Sequence, residues 1–364
     1  MHRKPILRAL AVLLCALTLA LALRTGSPVA PLPGTPEQPP RLIRIWLTST
    51  VGGAESWLRA CLRTWEQQHP GSHTYLRQVD AAELARPDAV LPDVLLFTPG
   101  DLTDPAAHLL PLSGTNGLRE PLLRCGRHRL QQYGLPLCYG AYVLAVDGEL
   151  DPQLAATPAP TTLLGHPPAT AVPDAPPPGY PLVAALRHPT PLIGSGFGLM
   201  ALARLLPEGD RPPLTPAASQ DDAYRAFTAR GCASALLTTG QHTAFSGLTA
   251  AGKGFPLRIM APDEVITDQV QLAGLCPGAS DEAAALLVHL TSPACQRLLT
   301  GQGLHTVRED LRLYVSGVEA GVEQAAARSL TALNAFIPAE EAEAAAWRVW
   351  QGSEDLSAAL VPLI

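Results

Sequence analysis

The chain is 364 residues long with 47% apolar and 16% charged residues, which argues for a globule with sizeable cores and against a disordered chain. A formal net charge of −6 disfavours a nucleic-acid partner, because such binding rests on neutralising phosphates. The seven cysteines are scattered, unlike the dense framework of a small disulfide-stapled domain.

Arg3, Lys4 and Arg8 precede an apolar run over residues 9–23, so 1–23 read as an export signal. At 15 residues the run falls short of the roughly 20 needed to cross a bilayer, which favours a cleaved signal over a permanent anchor. Residues 24–40 hold six prolines and read as a stiff spacer. Beyond them, 42–47 alternate as a strand. A helix follows over 54–68, with Trp57, Leu58, Cys61, Leu62 and Trp65 recurring on one face. Residues 74–79 predict a second strand, 81–85 a short helix and 94–97 an apolar third strand. Strand, helix, strand, helix, strand implies a parallel sheet covered on both faces, with ligands bound beyond the carboxyl ends of the strands. Those ends are residues 48–50 and 98–101.

Gln132-Tyr133-Gly134-Leu135-Pro136-Leu137 and Tyr139 lead into a strand over 142–146 that ends at Asp147. Residues 151–191 carry twelve prolines and predict a long surface excursion. The glycines from Gly194 to Gly198 open a helix over 199–206, either as cleft lining or as a plain helix entry. A helix over 221–228 and a strand ending near Leu237 come next, followed by Thr239-Gly240-Gln241-His242. A loop and strand occupy 252–262. A strand over 270–276 precedes two helices. Ser280, with Asp281 and Glu282 in the first turn, opens one; Ser292-Pro293 opens the other, which stops at Gly301-Gln302-Gly303. Alanine-rich helices are expected over 315–336, 338–350 and 353–360.

In their order and spacing, three segments resemble the extracellular solute-binding proteins of ABC importers, of the sugar-binding type. They are the return segment 268–310 with its Glu282-Ala283-Ala284 and Ser292-Pro293-Ala294-Cys295-Gln296, the Tyr133-Gly134-Leu135-Pro136 crossover, and the stretch from Asp221 to His242. The chain departs from that pattern at Asp147-Gly148, where many relatives have Asn-Lys, and in 151–191, which lacks the usual tryptophan motif. The resemblance implies an α/β, two-lobed type II periplasmic-binding-protein-like fold, its doubly wound sheets joined by a hinge. Lobe one would span 41–139 and 268–311, and lobe two 140–267 and 312–364. Crossings are expected near 137–143, 267–270 and Arg312. The partners implied are a small solute and ABC permease subunits, with a monomeric, exported protein and no cofactor.

Thr48, Ser49, Thr98, Asp101, Tyr139, Phe197, Gln241 and His242 are the candidate ligand-binding residues, because they follow strands or a glycine-rich helix entry. Trp46, Tyr139, Tyr142 and Phe197 are candidates for stacking on a sugar; Trp57, Trp65, Trp347 and Trp350 read as packing. A carbohydrate is favoured by family frequency, and a polyamine or an oxyanion stays open. No catalytic constellation is legible: there is no paired-histidine metal motif and no nucleophile elbow, and Asp101 with His242 lacks a third partner. A membrane-tethered sensing module and a secreted enzyme are the alternative classes. Cys61 reads as a buried thiol. A Cys276–Cys295 disulfide is disfavoured by the helix between them, and Cys125 with Cys138 stays open. The lone Cys125-Gly126-Arg127-His128 carries no metal expectation, and Arg119, Arg124, Arg127 and Arg129 read as a solvated face.

Overall fold

The computed structural model describes residues 41–84, 86, 90–114, 116–149, 192–193, 196–205, 215–216, 219–260 and 262–364. The export signal, the spacer, the proline-rich stretch 151–191 and the glycine entry at 194–195 lie outside the described residues. From Arg41 onward the chain forms one unit.

Strand β1 (Arg41–Leu47) buries Ile43, Ile45 and Leu47 on one face, as its alternation requires. Helix α1 (Ala54–Gln68) lays Trp57, Leu58, Cys61, Leu62 and Trp65 into the same core, and the two indoles are almost fully buried. Burying each such side chain contributes about 1.5–3 kcal/mol. Strand β2 (Ser72–Gln78), the short helix α2 (Ala81–Leu84) and strand β3 (Val94–Phe97) follow. Arg44 holds the buried Asp93 through its backbone N–H and its guanidinium, which ties the start of β3 to β1. Helix α3 (Glu120–Cys125) leads to the hairpin β4 (Arg127–His128) and β5 (Gln131–Gln132), then to β6 (Leu135–Tyr139).

Strand β7 (Tyr142–Asp147) starts a second sheet, continued by β8 (Leu192–Ile193), helix α4 (Gly196–Leu205) and β9 (Thr215–Pro216). Helix α5 (Gln220–Thr228), β10 (Ser234–Thr238), helix α6 (Thr239–Ala250) and β11 (Leu257–Met260) complete this part. Asp147, read from sequence as a turn residue, is fully buried and paired with the Arg230 guanidinium at 2.9 Å and 3.1 Å. A buried carboxylate is tolerable only with such a partner. The short strand β12 (Val265–Thr267) precedes β13 (Val270–Leu275) and helices α7 (Asp281–Leu290) and α8 (Pro293–Arg297). Ser280 and Ser292 cap these helices through the Ala283 and Cys295 amides, and Gly301 and Gly303 turn with positive φ, as the residue types predict. Helix α9 (Gly317–Arg328), strand β14 (Leu330–Ala332) and helices α10 (Ala339–Trp350) and α11 (Leu356–Leu360) end the chain.

The first sheet has the order β2-β1-β3-β13-β6 and the second β11-β7-β10-β8-β9. The first is mixed rather than parallel throughout: β1, β2 and β3 are parallel as expected, while β13 runs back between β3 and β6. The second is mixed as well, β10 pairing antiparallel with β7 and parallel with β8. Its strands alternate between two cores. Val143, Ala145, Ala235 and Leu237 share one with Phe227, Phe245 and Phe255; Tyr142, Leu144, Val146 and Leu236 share the other with α4 and α10. The helix expected over 315–336 stops at Arg328. Its last segment is the strand β14, in parallel register with β12, and the strand partner outweighs alanine's helix propensity.

Candidate functional site at the carboxyl edge of the first sheet

Beyond the ends of β1 and β3, the Asp101 carboxylate gathers the neighbouring polar groups. It accepts from Thr48 Oγ1 at 2.8 Å, from the Thr98 amide at 2.9 Å and from Ser49 Oγ, and the Ser49 and Thr98 hydroxyls lie 2.6 Å apart. Four of the eight residues named from sequence thus form one partly exposed cluster. Parallel pairing of β1 with β3 places their loops side by side, and the Thr48 amide continues the ladder to the Leu96 carbonyl at 3.0 Å. Gly100, with φ +94°, makes the turn that brings Asp101 back toward Thr98.

Sequence reasoning missed Gln271. It is a buried amide in the apolar strand β13, accepting from the Val51 N–H at 3.2 Å and donating to the carbonyls of Ser49 at 3.3 Å and Phe97 at 3.0 Å. One side chain therefore fixes both loops of the cluster. The available signal was a lone glutamine inside an apolar run, since a buried amide must find partners.

Beside this edge, the loop at Val51, Gly52 and Gly53 meets the start of α6 and the turn at Gln302 and Gly303. A Cβ on Gly240 would lie 2.8 Å from the Gly52 carbonyl oxygen, and one on Gly53 would lie 3.0 Å from that of Gln302. The backbones pack this closely because these positions are glycine. Gln241 and His242, named as candidates after the strand, lie in the first turn of α6, which Thr238 and Gln241 cap reciprocally. Gln241 is also bonded to Gln220. His242 Nδ1 is 3.0 Å from Glu319 Oε1 on α9, and Thr243 donates to the same oxygen at 3.2 Å. An open groove of about 370 Å³ lies beside this pair, floored by Phe245, Phe255 and Val318.

The His242 imidazole, with Thr243, holds the Glu319 carboxyl down at about 2. A depressed folded pKa adds stability above the unfolded value near 4.5, and that stability is lost as pH falls through about 2. Because Glu319 is partly exposed, solvent screening limits the contribution to about 1 kcal/mol. Urea unfolding between pH 2 and 6 is expected to show this loss in the native chain and a flatter profile in Glu319→Gln; parallel profiles would contradict it.

The other two candidates are elsewhere. Tyr139 is fully buried, its backbone paired with His305 and its ring 5.2 Å from the imidazole. Phe197 lies in the apolar core on α4. Among the stacking candidates, Trp46 is buried beneath the Arg77 guanidinium, and the Tyr142 hydroxyl donates to Asp268 at 2.6 Å. Among the described residues no three His, Cys, Asp or Glu side chains converge on a metal position. Cys125 and Cys138, whose pairing stayed open, are both free buried thiols.

No protein-family model matches the chain, and no curated protein matches it in sequence. Solved structures match with probability 1.00. The GacH receptor of Streptomyces glaucescens, studied unliganded and in complex with acarbose, superposes with a TM-score of 0.57 at 16% identity, over 89% of this chain and 96% of that one. A cyclo/maltodextrin-binding protein complexed with maltotetraose gives 0.56 at 15%, over 90% and 96%. Iron-bound HitA from Pseudomonas aeruginosa gives 0.55 at 14%, over 85% and 99%. The fold is that of the two-lobed periplasmic binding proteins. Identities this low carry the periplasmic-binding-protein fold alone. Among the described residues no helix is long and apolar enough to cross a membrane.

Proposed function

We propose that this chain is an exported solute-binding protein that captures a small solute, a carbohydrate by preference, between its two lobes and delivers it unchanged to an ABC permease. The observation that carries this reading is the cluster of Thr48, Ser49, Thr98 and Asp101. Hydroxyls that both donate and accept, around one carboxylate that accepts, suit a polyhydroxylated ligand. Acarbose and maltotetraose, bound by two of the similar structures, belong to that class. With the aromatic candidates buried or engaged, recognition rests on hydrogen bonds more than on stacking. Lobe one is taken as 41–139 with 268–311, and lobe two as 140–267 with 312–364; Gln241 and His242 would face the solute from lobe two. Closure is driven by the solute's differential affinity for the closed state.

A thermal-shift screen of sugars, polyamines, amino acids and oxyanions tests the reading. A ligand at 100 times its dissociation constant adds roughly 2.7 kcal/mol of stability. A sugar should raise the melting temperature and be recovered chemically intact by mass spectrometry; a reaction product would overturn the binding role. In Asp101→Asn, calorimetry is expected to show affinity for that ligand reduced about 10- to 100-fold, because the charge-assisted acceptor is lost. Unchanged affinity in a folded variant would remove the cluster from the site.

A further inference from the structure

Helices α7 and α8 bring His289 and Cys295 against Cys61 of α1. His289 Nε2 is 3.2 Å from Cys295 Sγ and 3.3 Å from the Cys61 carbonyl oxygen. The Cys61 thiol faces the Cys295 carbonyl oxygen at 3.9 Å, and Trp57 Nε1 donates to that oxygen at 2.8 Å. The Cys61 sulfur and the Cys295 backbone are thus in direct contact, and His289 touches both residues. Both are buried, Cys61 at 0% and Cys295 at 1% exposure.

We propose that Cys61 and Cys295 close a disulfide that staples α1 to α8, with His289 as the base that takes the Cys295 proton. The oxidising compartment this needs rests on the export reading. The hydrogen bond from Cys61, followed by that of Ser292, lowers the Cys295 thiol pKa, whereas the Cys61 thiol is raised. Burial lowers the His289 pKa, keeping its imidazole neutral and able to accept a proton. Cys295, whose sulfur contacts His289 within the α7–α8 pair, is the attacking sulfur.

The oxidant is a disulfide of the form RSSR, supplied by a small molecule or by an oxidoreductase. The Cys295 thiolate attacks one of its sulfurs, the S–S bond breaks, and one RS⁻ leaves with the proton from His289. Cys61 gives up its proton and attacks the Cys295 sulfur of the mixed disulfide, expelling the second RS⁻, which is protonated. Two protein thiols are oxidised by two electrons and RSSR is reduced to two RSH. Both sulfurs are sealed once α8 is docked on α1, so the exchange takes place while α8 is undocked, with the His289–Cys295 contact, made within the α7–α8 pair, already formed.

The full chain, purified in mild detergent under reductant, would be unfolded and refolded in mixed reduced and oxidised glutathione, then alkylated and mapped by mass spectrometry. A linked Cys61–Cys295 peptide is expected, with a melting temperature about 5 °C above that of the reduced form. Cys61→Ser and Cys295→Ser should each abolish both signals, and Cys276→Ser should keep both. His289→Gln should reach the same product more slowly, and an unchanged rate would overturn the base assignment. Alkylation of both Cys61 and Cys295, or a Cys61–Cys138 link, would overturn the staple. Because the assay uses purified protein, its result is separate from where the cell places the chain.

Discussion

Phe197→Ala is expected to lower stability by about 3–5 kcal/mol while leaving solute affinity within a few-fold of the native chain. Phe197 is 3% exposed at the second position of α4, in the cluster formed by Leu144 and Leu236 from the second sheet and Val349 and Trp350 from α10. Truncating the ring removes its transfer free energy and leaves a cavity between a sheet and two helices, elements that relax only in part. Urea unfolding gives the stability and calorimetry the affinity. A variant that keeps its stability and loses its ligand would return Phe197 to the cleft. Trp350→Ala, in the same cluster and also nearly buried, should behave in the same direction.

Gly303→Ala is expected to cost about 2–5 kcal/mol, and the cost should fall on the contact between the two lobes as proposed. Gly303 has φ +67°, where an alanine is strained by about 1–2 kcal/mol. Its new Cβ would also run into the Thr239 carbonyl oxygen and lie 2.5 Å from Thr243 Oγ1, overpacking that costs about 1–3 kcal/mol. Withdrawal of the α6 start from the Gln302 turn relieves the clash but leaves the strain. The expected readouts are a lower melting temperature, a larger radius of gyration in X-ray scattering, and weaker apparent affinity, since the binding-competent arrangement is less populated. A lower melting temperature with an unchanged radius and affinity would confine the effect to a local turn. Gly301→Ala is the control: it shares a positive φ, and nothing lies within 4 Å of its Cβ.

What could be read from the sequence depended on how local its cause was. The face of α1 and the serine caps of α7 and α8 are set by residues within a turn or two of one another, and the strand–helix order of 41–97 follows from the same kind of pattern. The gathering of Thr48, Ser49, Thr98 and Asp101 was legible because parallel strands deliver their carboxyl ends to one edge. The misses came from distant partners. Residues 330–332 are a strand only because 265–267 lie beside them. The reversed β13 depends on chain return from the second sheet, and the roles of Gln271 and Glu319 depend on partners more than 70 residues away. The burial of Phe197 and Tyr139 was not legible, because an aromatic near a glycine or a strand end reads alike whether it faces solvent or core.

The segments at Gly140, at Thr267 to Gln269 and at Leu333 are laced edge to edge. Thr267 Oγ1 donates to the Gly140 carbonyl oxygen at 2.8 Å, the Gly140 amide donates to Gln269 at 2.7 Å, and the Leu333 amide donates to Thr267 at 3.0 Å. Three separate threads would each bend alone, each adding its own soft mode. Bonded side by side they behave as the plies of a leaf spring, compliant to flexing across the ribbon and stiff to sliding along it. A disturbance at any one of these bonds is shared by all three segments, so with the lobes divided as proposed their relative motion would be confined to a single swing.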